Sequence, residues 1–150
     1  MNQSDLERFM REALIEGRKA LPECLPNPPV GCVIVRDGRI VARGFTQRPH
    51  RPHAEAAALQ ELSGDLSDCS VFVTLEPCSF HGRTPSCAEA LVQRGAKQVL
   101  VAILDPDPRN SGRGISMLKT AGVEVTIGLL REDAHRDLDC YLQTQKAPNI

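Results

Sequence analysis

The amino-acid sequence predicts an α/β fold, in which a mixed sheet of about five strands lies between two layers of helices. Three observations favour this class. Segments with helical periodicity alternate with short apolar segments along the 150 residues. An Asp-Gly pair at 37–38 joins two apolar segments, which is the pattern of an antiparallel hairpin. The later apolar segments are separated by helical ones, so we expect right-handed crossovers between parallel strands.

The N-terminal third begins with a helix and continues with the hairpin. Apolar residues at helical spacing predict a helix over residues 5–21, and Ser4 with Glu7 has the pattern of a capping box. A proline-rich segment ends this helix. Strands are then expected over 30–36 and 39–46, on either side of the Asp-Gly turn.

The remaining elements alternate between helix and strand. The segment QVLVAIL is continuously apolar, which is typical of a strand buried on both faces of a sheet. We expect helices over 53–63, 86–95, Ile115–Ala121 and 131–146, and strands over Ser70–Thr74, Gln98–Leu104 and Val123–Ile127.

Composition excludes several classes of protein. With 18 Lys+Arg against 19 Asp+Glu, the formal charge is −1, which disfavours a nucleic-acid-binding protein. No apolar run approaches the roughly 18–20 residues that a membrane span needs. The N-terminal segment lacks the pattern of a secretory signal, so we expect a cytoplasmic protein with a single domain over 1–150. In a reducing compartment, the six cysteines are expected to serve as ligands, core residues or nucleophiles instead of forming disulfides.

Four residues have the pattern of a catalytic metal site. His53 and Glu55 stand at the start of a predicted helix, and Cys78 is followed by Cys87 just before another. One imidazole and two thiolates are a three-ligand set for Zn²⁺ that leaves a fourth position open for water. At a helix start, Glu55 and His53 can converge on one pocket, where the carboxylate would move protons. This is the H-x-E…P-C arrangement of zinc nucleobase deaminases.

Two other interpretations of these residues stay open. The cysteines could be core residues without a function. Alternatively, Cys78-x-x-His81 has finger-like spacing, so His81 could complete a closed structural zinc site. Such a site has no use for Glu55, which is why this residue favours catalysis.

Three further polar residues are candidates for substrate binding. Asn27 could cap a turn or reach the pocket, and Arg83 could bind an anionic group or be solvated. Asp105 follows a buried strand, where open α/β sheets bind ligands, although it could also be a turn residue.

Two basic segments could attract a phosphorylated substrate. A Gly-Arg-Gly sequence at 112–114 precedes a predicted helix, so it could cradle phosphate or be a plain loop. Positive charge is also concentrated before the helix that carries Glu55, where it could attract an anion or form a solvated face. The residues of this second basic segment are Arg43, Arg48, His50 and Arg51.

Several of these motifs together resemble a known family. They are Asn27-Pro-Pro-Val-Gly31, Pro52-His-Ala-Glu55, Val73-Thr-Leu-Glu-Pro-Cys-Ser79, Gly82-Arg-Thr-Pro85 with Cys87, and Gly112-Arg-Gly-Ile-Ser-Met117. Over about two-thirds of the chain, they are similar to the pyrimidine deaminase of riboflavin biosynthesis, within the cytidine deaminase superfamily.

The resemblance implies a three-layer α-β-α cytidine-deaminase-like fold with zinc on His53, Cys78 and Cys87. It also implies that Glu55 is the general acid/base. The implied reaction is hydrolytic removal of the 2-amino group from 2,5-diamino-6-ribosylamino-4(3H)-pyrimidinone 5′-phosphate. The positions that match contacts to the pyrimidine or ribose phosphate are Asn27, Arg83 and Asp105.

The sequence departs from the family pattern at three places. Phe80 stands where histidine is usual, Asp107 stands where asparagine is usual, and His50-Arg51 replaces a glycine-rich segment. An added carboxylate at 107 would repel a phosphate. Two alternatives therefore stay open: a paralogue that deaminates another amino-pyrimidine or purine, and a zinc-stabilised binding module without catalysis.

Members of this family commonly carry a C-terminal NADPH-dependent reductase domain. The sequence ends soon after its last predicted strand, so we expect either that a separate protein performs the reductase step or that the chain is a free-standing relative with another substrate. The family also tends to assemble through its deaminase domain, which predicts a homo-oligomer.

Overall fold

The computed structural model describes residues 1–80 and 85–143 and has the predicted order of elements. The five helices are α1 (Gln3–Arg18), α2 (Ala54–Gln60), α3 (Cys87–Gln93), α4 (Arg113–Thr120) and α5 (Arg131–Gln143). The five strands are β1 (Gly31–Arg36), β2 (Arg39–Phe45), β3 (Cys69–Leu75), β4 (Gln98–Ile103) and β5 (Glu124–Ile127).

The five strands form one mixed sheet in the order β2-β1-β3-β4-β5. Strand β1 is antiparallel to both of its neighbours, whereas β3, β4 and β5 are parallel to one another. Strands β2 and β3 therefore point the same way, and the connection through α2 passes over β1. The predicted mixed sheet is confirmed.

Helices cover both faces of the sheet, which confirms the three-layer architecture. Helix α1 packs on β1, β2 and β3 and also contacts α5, so these two helices share one face. Helices α2, α3 and α4 contact one another in sequence on the opposite face. On the first face, the Phe9 ring of α1 lies 5.6 Å from the Phe72 ring of β3, and Arg18 Nε lies 2.8 Å from the Asp137 carboxylate of α5.

The hairpin turn has the backbone that its sequence predicts. Asp37 and Gly38 both have positive φ, at 53° and 73°, as a type I′ turn requires. Next to this turn, the antiparallel pairing shifts register between Ile34 and Val35. The Asp-Gly hairpin is therefore confirmed.

Glycines allow two helices to approach the sheet closely. A Cβ atom on Gly31 would lie 1.8 Å from the carbonyl oxygen of Ala13 in α1. A Cβ on Gly44 would lie 2.3 Å from the carbonyl oxygen of Ala54 in α2. The second approach matters for function, because it seats the first turn of α2 directly against β2.

The predicted beginning of α1 is wrong. The helix begins at Gln3, and the side chain of Asn2 accepts a hydrogen bond of 2.8 Å from the Asp5 N–H. Asparagine is as good an N-cap as serine, and here it caps the helix two residues before Ser4. The helix also ends earlier than expected, at Arg18.

The C-terminal helix begins where the sequence predicts, at Arg131, and is described as far as Gln143. Its expected extension to residue 146 lies outside the described residues. Within the described part of the chain, no helix combines the length and apolar character needed to span a bilayer.

Candidate metal and active site

Three side chains with donor atoms suited to a metal ion converge where two helices begin and one strand ends. His53 is the N-cap residue of α2, and Cys87 is the first residue of α3. Cys78 lies in the loop that leaves β3. The N-termini of helices carry a partial positive charge, which favours thiolates over thiols at this position.

The donor atoms are spaced as a tetrahedral zinc ion needs. The Nδ1 atom of His53 lies 3.7 Å from the Cys78 sulfur and 3.5 Å from the Cys87 sulfur. All three donor atoms lie within 4.8 Å of one another. With Zn–S of about 2.3 Å and Zn–N of about 2.0–2.1 Å, tetrahedral angles put nitrogen and sulfur donors about 3.6 Å apart. The donor set therefore fits zinc in both chemistry and spacing.

Hydrogen bonds favour a thiolate at Cys78. The Cys87 backbone N–H donates to the Cys78 sulfur at 3.2 Å. Hydrogen bonds from the Cys87 side chain and from His53 lower the pKa of the Cys78 thiol. The same contact, seen from the histidine, raises the pKa of His53 to about 9. The pKa of Cys87 is raised because this buried thiol lies beside the Cys78 sulfur.

Glu55 is a buried carboxyl group that shares a cavity with two of the three donors, His53 and Cys78. Its residue is only 4 % exposed, and burial raises its pKa to about 7, with the Cys78 thiolate as the second cause. It lines a cavity of about 260 Å³ together with His53 and Cys78. A carboxyl group in this position can exchange a proton with a ligand that enters the cavity.

Two of the three predicted substrate-binding residues also line this cavity. Asn27 is half-buried at its wall. Asp105 lines it as well, and its carboxylate accepts a hydrogen bond of 3.0 Å from the Asp107 N–H, so it is also a turn residue. Burial raises the pKa of Asp105. Arg83 and His81 lie outside the described residues, so their predicted roles stay predictions.

Glu76 is a structural residue of the site that the sequence did not reveal. It is 3 % exposed, and its Oε1 accepts hydrogen bonds from the N–H groups of Asp105 and Gly112, both at 3.0 Å. Its Oε2 accepts a third, from the Ile115 N–H at 3.1 Å. The only signal was an acidic residue that ends an apolar strand before Pro77.

The hydrogen bonds of Glu76 affect the hypothesis that residues 112–114 bind phosphate. Gly112 is the N-cap of α4 and offers no side chain for capping. Glu76 accepts from the N-cap and N3 N–H groups, the two that a capping box would satisfy locally. Because a carboxylate of the protein occupies this helix N-terminus, a phosphate would have to displace it.

The basic residues before α2 do not line the cavity. Arg43 instead bonds to carboxylates of α1, at 3.1 Å from Glu12 and 3.2 Å from Glu16. Arg51 lines a separate depression beside β2. In the described geometry these residues therefore lie outside the cavity wall, and Arg43 joins β2 to α1. Whether this segment attracts a phosphorylated substrate stays a prediction.

A three-layer α/β fold with a His/Cys/Cys cluster and a buried glutamate beside it defines the class of zinc-dependent nucleobase deaminases. The chain belongs to the family of cytidine and deoxycytidylate deaminases, whose zinc-binding region matches residues 3–103.

Similar proteins come from riboflavin biosynthesis. The riboflavin biosynthesis protein RibD of Chlamydia muridarum is 44 % identical over 138 residues, which are 92 % of this chain and 37 % of that protein. The solved structure of Acinetobacter baumannii RibD superposes with a TM-score of 0.91 at 39 % identity, over 97 % of this chain and 41 % of that one.

A structure from Thermotoga maritima superposes with a TM-score of 0.90 at 38 % identity, over 97 % of this chain and 43 % of that chain. It is described as a diaminohydroxyphosphoribosylaminopyrimidine deaminase/5-amino-6-(5-phosphoribosylamino)uracil reductase. The present chain thus spans about two-fifths of the length of these RibD relatives.

Proposed function

We propose that this chain is a zinc-dependent deaminase of riboflavin biosynthesis. Its substrate is 2,5-diamino-6-ribosylamino-4(3H)-pyrimidinone 5′-phosphate, from which it removes the 2-amino group by hydrolysis. The observation that carries this proposal is the buried carboxyl group of Glu55, which lines one cavity with His53 and Cys78. The riboflavin-pathway relatives and the deaminase/reductase from Thermotoga maritima support the choice of substrate.

We assign the zinc ligands to His53 Nδ1 and to the sulfur atoms of Cys78 and Cys87. When bound, zinc lowers the pKa of a coordinated water to about 7, so that hydroxide is available at neutral pH. The backbone N–H of Cys87 donates to the Cys78 sulfur and thereby orients this ligand.

Glu55 carries the protons of the reaction. Its carboxylate accepts a proton from the attacking water and passes it to the adjacent ring nitrogen, and a later transfer protonates the departing amine. The water oxygen forms a bond to the ring carbon, and the carbon–nitrogen bond breaks. One water is consumed and one ammonia is released, so no oxidant or reductant is needed.

The cavity wall orients the pyrimidine. Asn27 offers an amide with both a donor and an acceptor, and Asp105 offers a carboxylate. Together they match the alternating donors and acceptors on the edge of an aminopyrimidinone. Arg83 remains our proposed contact for the ribose phosphate.

The test is ammonia release from the proposed substrate in ¹⁸O-labelled water. We expect one labelled oxygen in the product for each ammonia. E55Q should lower kcat by a factor of about 10²–10⁴ while zinc content stays at the wild-type level. E61Q is the matched control, because Glu61 is an exposed glutamate at the end of the same helix. Ammonia release that persists in E55Q would contradict the role of Glu55.

A second candidate function is deamination of an amino-heterocycle without a phosphate, such as another pyrimidine, a purine or a nucleoside. The charge of the cavity wall favours it: among the described residues, four carboxylates and one arginine line the cavity. A panel of phosphorylated and unphosphorylated amines distinguishes the two. Turnover of an unphosphorylated amine alone would replace the riboflavin precursor as the substrate.

We further propose a cytoplasmic homo-oligomer that works with a separate reductase. None of the six cysteines forms a disulfide, which supports a reducing compartment. Light scattering of the purified chain tests the oligomer, and co-purification from the source cell tests the reductase partner. A monomer would contradict the proposed homo-oligomer. A lack of co-purifying reductase activity would contradict the proposed reductase partner.

A further inference from the structure

Three residues form a connected group at the wall of the cavity: Phe80, Asp107 and Arg109. The Asp107 carboxylate accepts a hydrogen bond from the Arg109 backbone N–H at 2.9 Å. It also accepts from the guanidinium, with Nη2 at 2.7 Å and Nε at 3.1 and 3.2 Å. The guanidinium carbon of Arg109 lies 4.6 Å from the centre of the Phe80 ring. The arginine is thus held by a carboxylate and by an aromatic face.

The two charges of this ion pair differ in exposure. The Asp107 side chain is 8 % exposed, whereas that of Arg109 is 69 % exposed. The pair therefore presents its positive member to a ligand. Asp107 uses only the Nε and Nη2 atoms, and within residues 1–80 and 85–143 no acceptor takes a hydrogen bond from Nη1.

Arg109 is the one arginine or lysine among the described residues of the cavity wall. The carboxylates of Glu55, Glu76 and Asp105 line the same wall, so a phosphorylated ligand needs a cation to offset their repulsion. A guanidinium offers parallel N–H donors that match the oxygens of a phosphate, and a second face remains free when a carboxylate takes the first.

We propose that Arg109 is a further cationic contact for the anionic group of the substrate, a phosphate monoester, in addition to the contact proposed above for Arg83. Asp107 and Phe80 are positioning residues for the Arg109 guanidinium. This inference rests on the proposed function in so far as the substrate is phosphorylated. It also gives the Asp107 carboxylate a different role from the repulsion expected from the sequence. The acidic side chain directs Arg109 toward the phosphate, and the arginine shields the phosphate from the carboxylate. The departures at positions 80 and 107 are then two parts of one arrangement.

The kinetic test compares the phosphorylated aminopyrimidine with its dephosphorylated form, using the zinc-loaded full chain. R109A should raise KM for the phosphorylated form about 10- to 100-fold, and much less for the dephosphorylated form. R109K should recover part of the loss, because a lysine keeps the charge without the fork of donors. D107N and F80L should each raise KM severalfold with a smaller change in kcat.

The matched control is R136A. Arg136 is an exposed arginine that also pairs with an aspartate near in sequence, Asp133, but it lies on α5, on the opposite face of the sheet. It should leave KM for both forms unchanged. An equal rise of KM for both forms in R109A would mean a structural role, and no rise would mean no contact; either result overturns the proposal.

A binding measurement separates this inference from the proposed function. Isothermal titration with ribose 5-phosphate, and separately with inorganic phosphate, should show binding to the wild type that is about tenfold weaker or more in R109A. Ribose 5-phosphate bound equally by wild type and R109A, or by neither, overturns the role of Arg109. If the wild type binds it through Arg109 but releases no ammonia from the riboflavin precursor, the proposed function fails and the phosphate site stands. Binding of inorganic phosphate alone would overturn a site built for a sugar phosphate.

Discussion

Replacement of Glu76 by glutamine should destabilise the protein strongly, although it changes only one oxygen into an NH₂ group. Glu76 is 3 % exposed, and its two oxygens accept three backbone N–H bonds. Glutamine keeps one oxygen, which can still accept from Asp105 and Gly112. Its NH₂ group would then face the Ile115 N–H, donor against donor, in a buried place.

The cost follows from the bonds that are lost. Loss of one charge-assisted hydrogen bond and burial of one unpaired N–H should lower the free energy of unfolding by about 2–3 kcal/mol in E76Q. E76A removes the acceptor for all three N–H groups, and we expect a loss of about 4 kcal/mol or more.

Urea denaturation of the zinc-loaded protein, followed by circular dichroism, measures both changes. E61Q serves as the control for an exposed glutamate and should change stability by less than about 0.5 kcal/mol. In addition, E76Q should raise KM more than it lowers kcat, because Glu76 holds the loop that carries Asp105 and the N-terminus of α4. A stability loss in E76Q no larger than that in E61Q would refute this account of Glu76.

Three further substitutions test the packing and the metal site. G114A should destabilise the fold by about 2 kcal/mol or more in urea titrations, since a Cβ there would lie 1.9 Å from the Pro77 carbonyl oxygen; wild-type stability would contradict this contact. C87S should bind less than one zinc ion per chain, as measured by mass spectrometry. C140S, which changes an exposed cysteine, should still bind one. One zinc ion per chain in C87S would show that Cys87 is not a ligand. T74V should lower the free energy of unfolding by about 1–3 kcal/mol, because it removes the acceptor of a buried backbone N–H of β1. T74S keeps the hydroxyl and should restore most of this stability. Equal stability of T74V and T74S would argue against the hydrogen bond.

Local chemistry made the fold and the metal cluster predictable. The Asp-Gly turn needs two residues with positive φ, and the continuous apolar run of β4 needs burial on both faces, so each leaves its own pattern in the sequence. The cluster was visible because His53, Cys78 and Cys87 combine uncommon residue types at loop-to-helix junctions.

Features that depend on distant backbone groups could not be predicted in this way. Glu76 bonds to N–H groups that follow it by 29, 36 and 39 residues, and a backbone N–H has no residue type that a sequence pattern could show. Arg109 was missed for another reason: a Pro-Arg sequence in a polar loop resembles a solvated turn. Only the fold shows that its partner Asp107 is buried and that the Phe80 ring lies against the Arg109 guanidinium.

The hydrogen bonds of the cavity also explain why Glu55, among four carboxyl groups, is suited to carry protons. Glu76 accepts hydrogen bonds from three backbone N–H groups. Asp105 accepts a hydrogen bond from a backbone N–H of the loop that follows it, and Asp107 accepts one from the Arg109 guanidinium. Protonation of any of these would weaken bonds that hold the loop in place. The pKa of Glu55 is set instead by burial and by the neighbouring charges of Cys78 and His53, with smaller effects of its own backbone and of the Cys87 thiol. Glu55 can therefore gain and lose a proton without disturbing the loop that shapes the cavity.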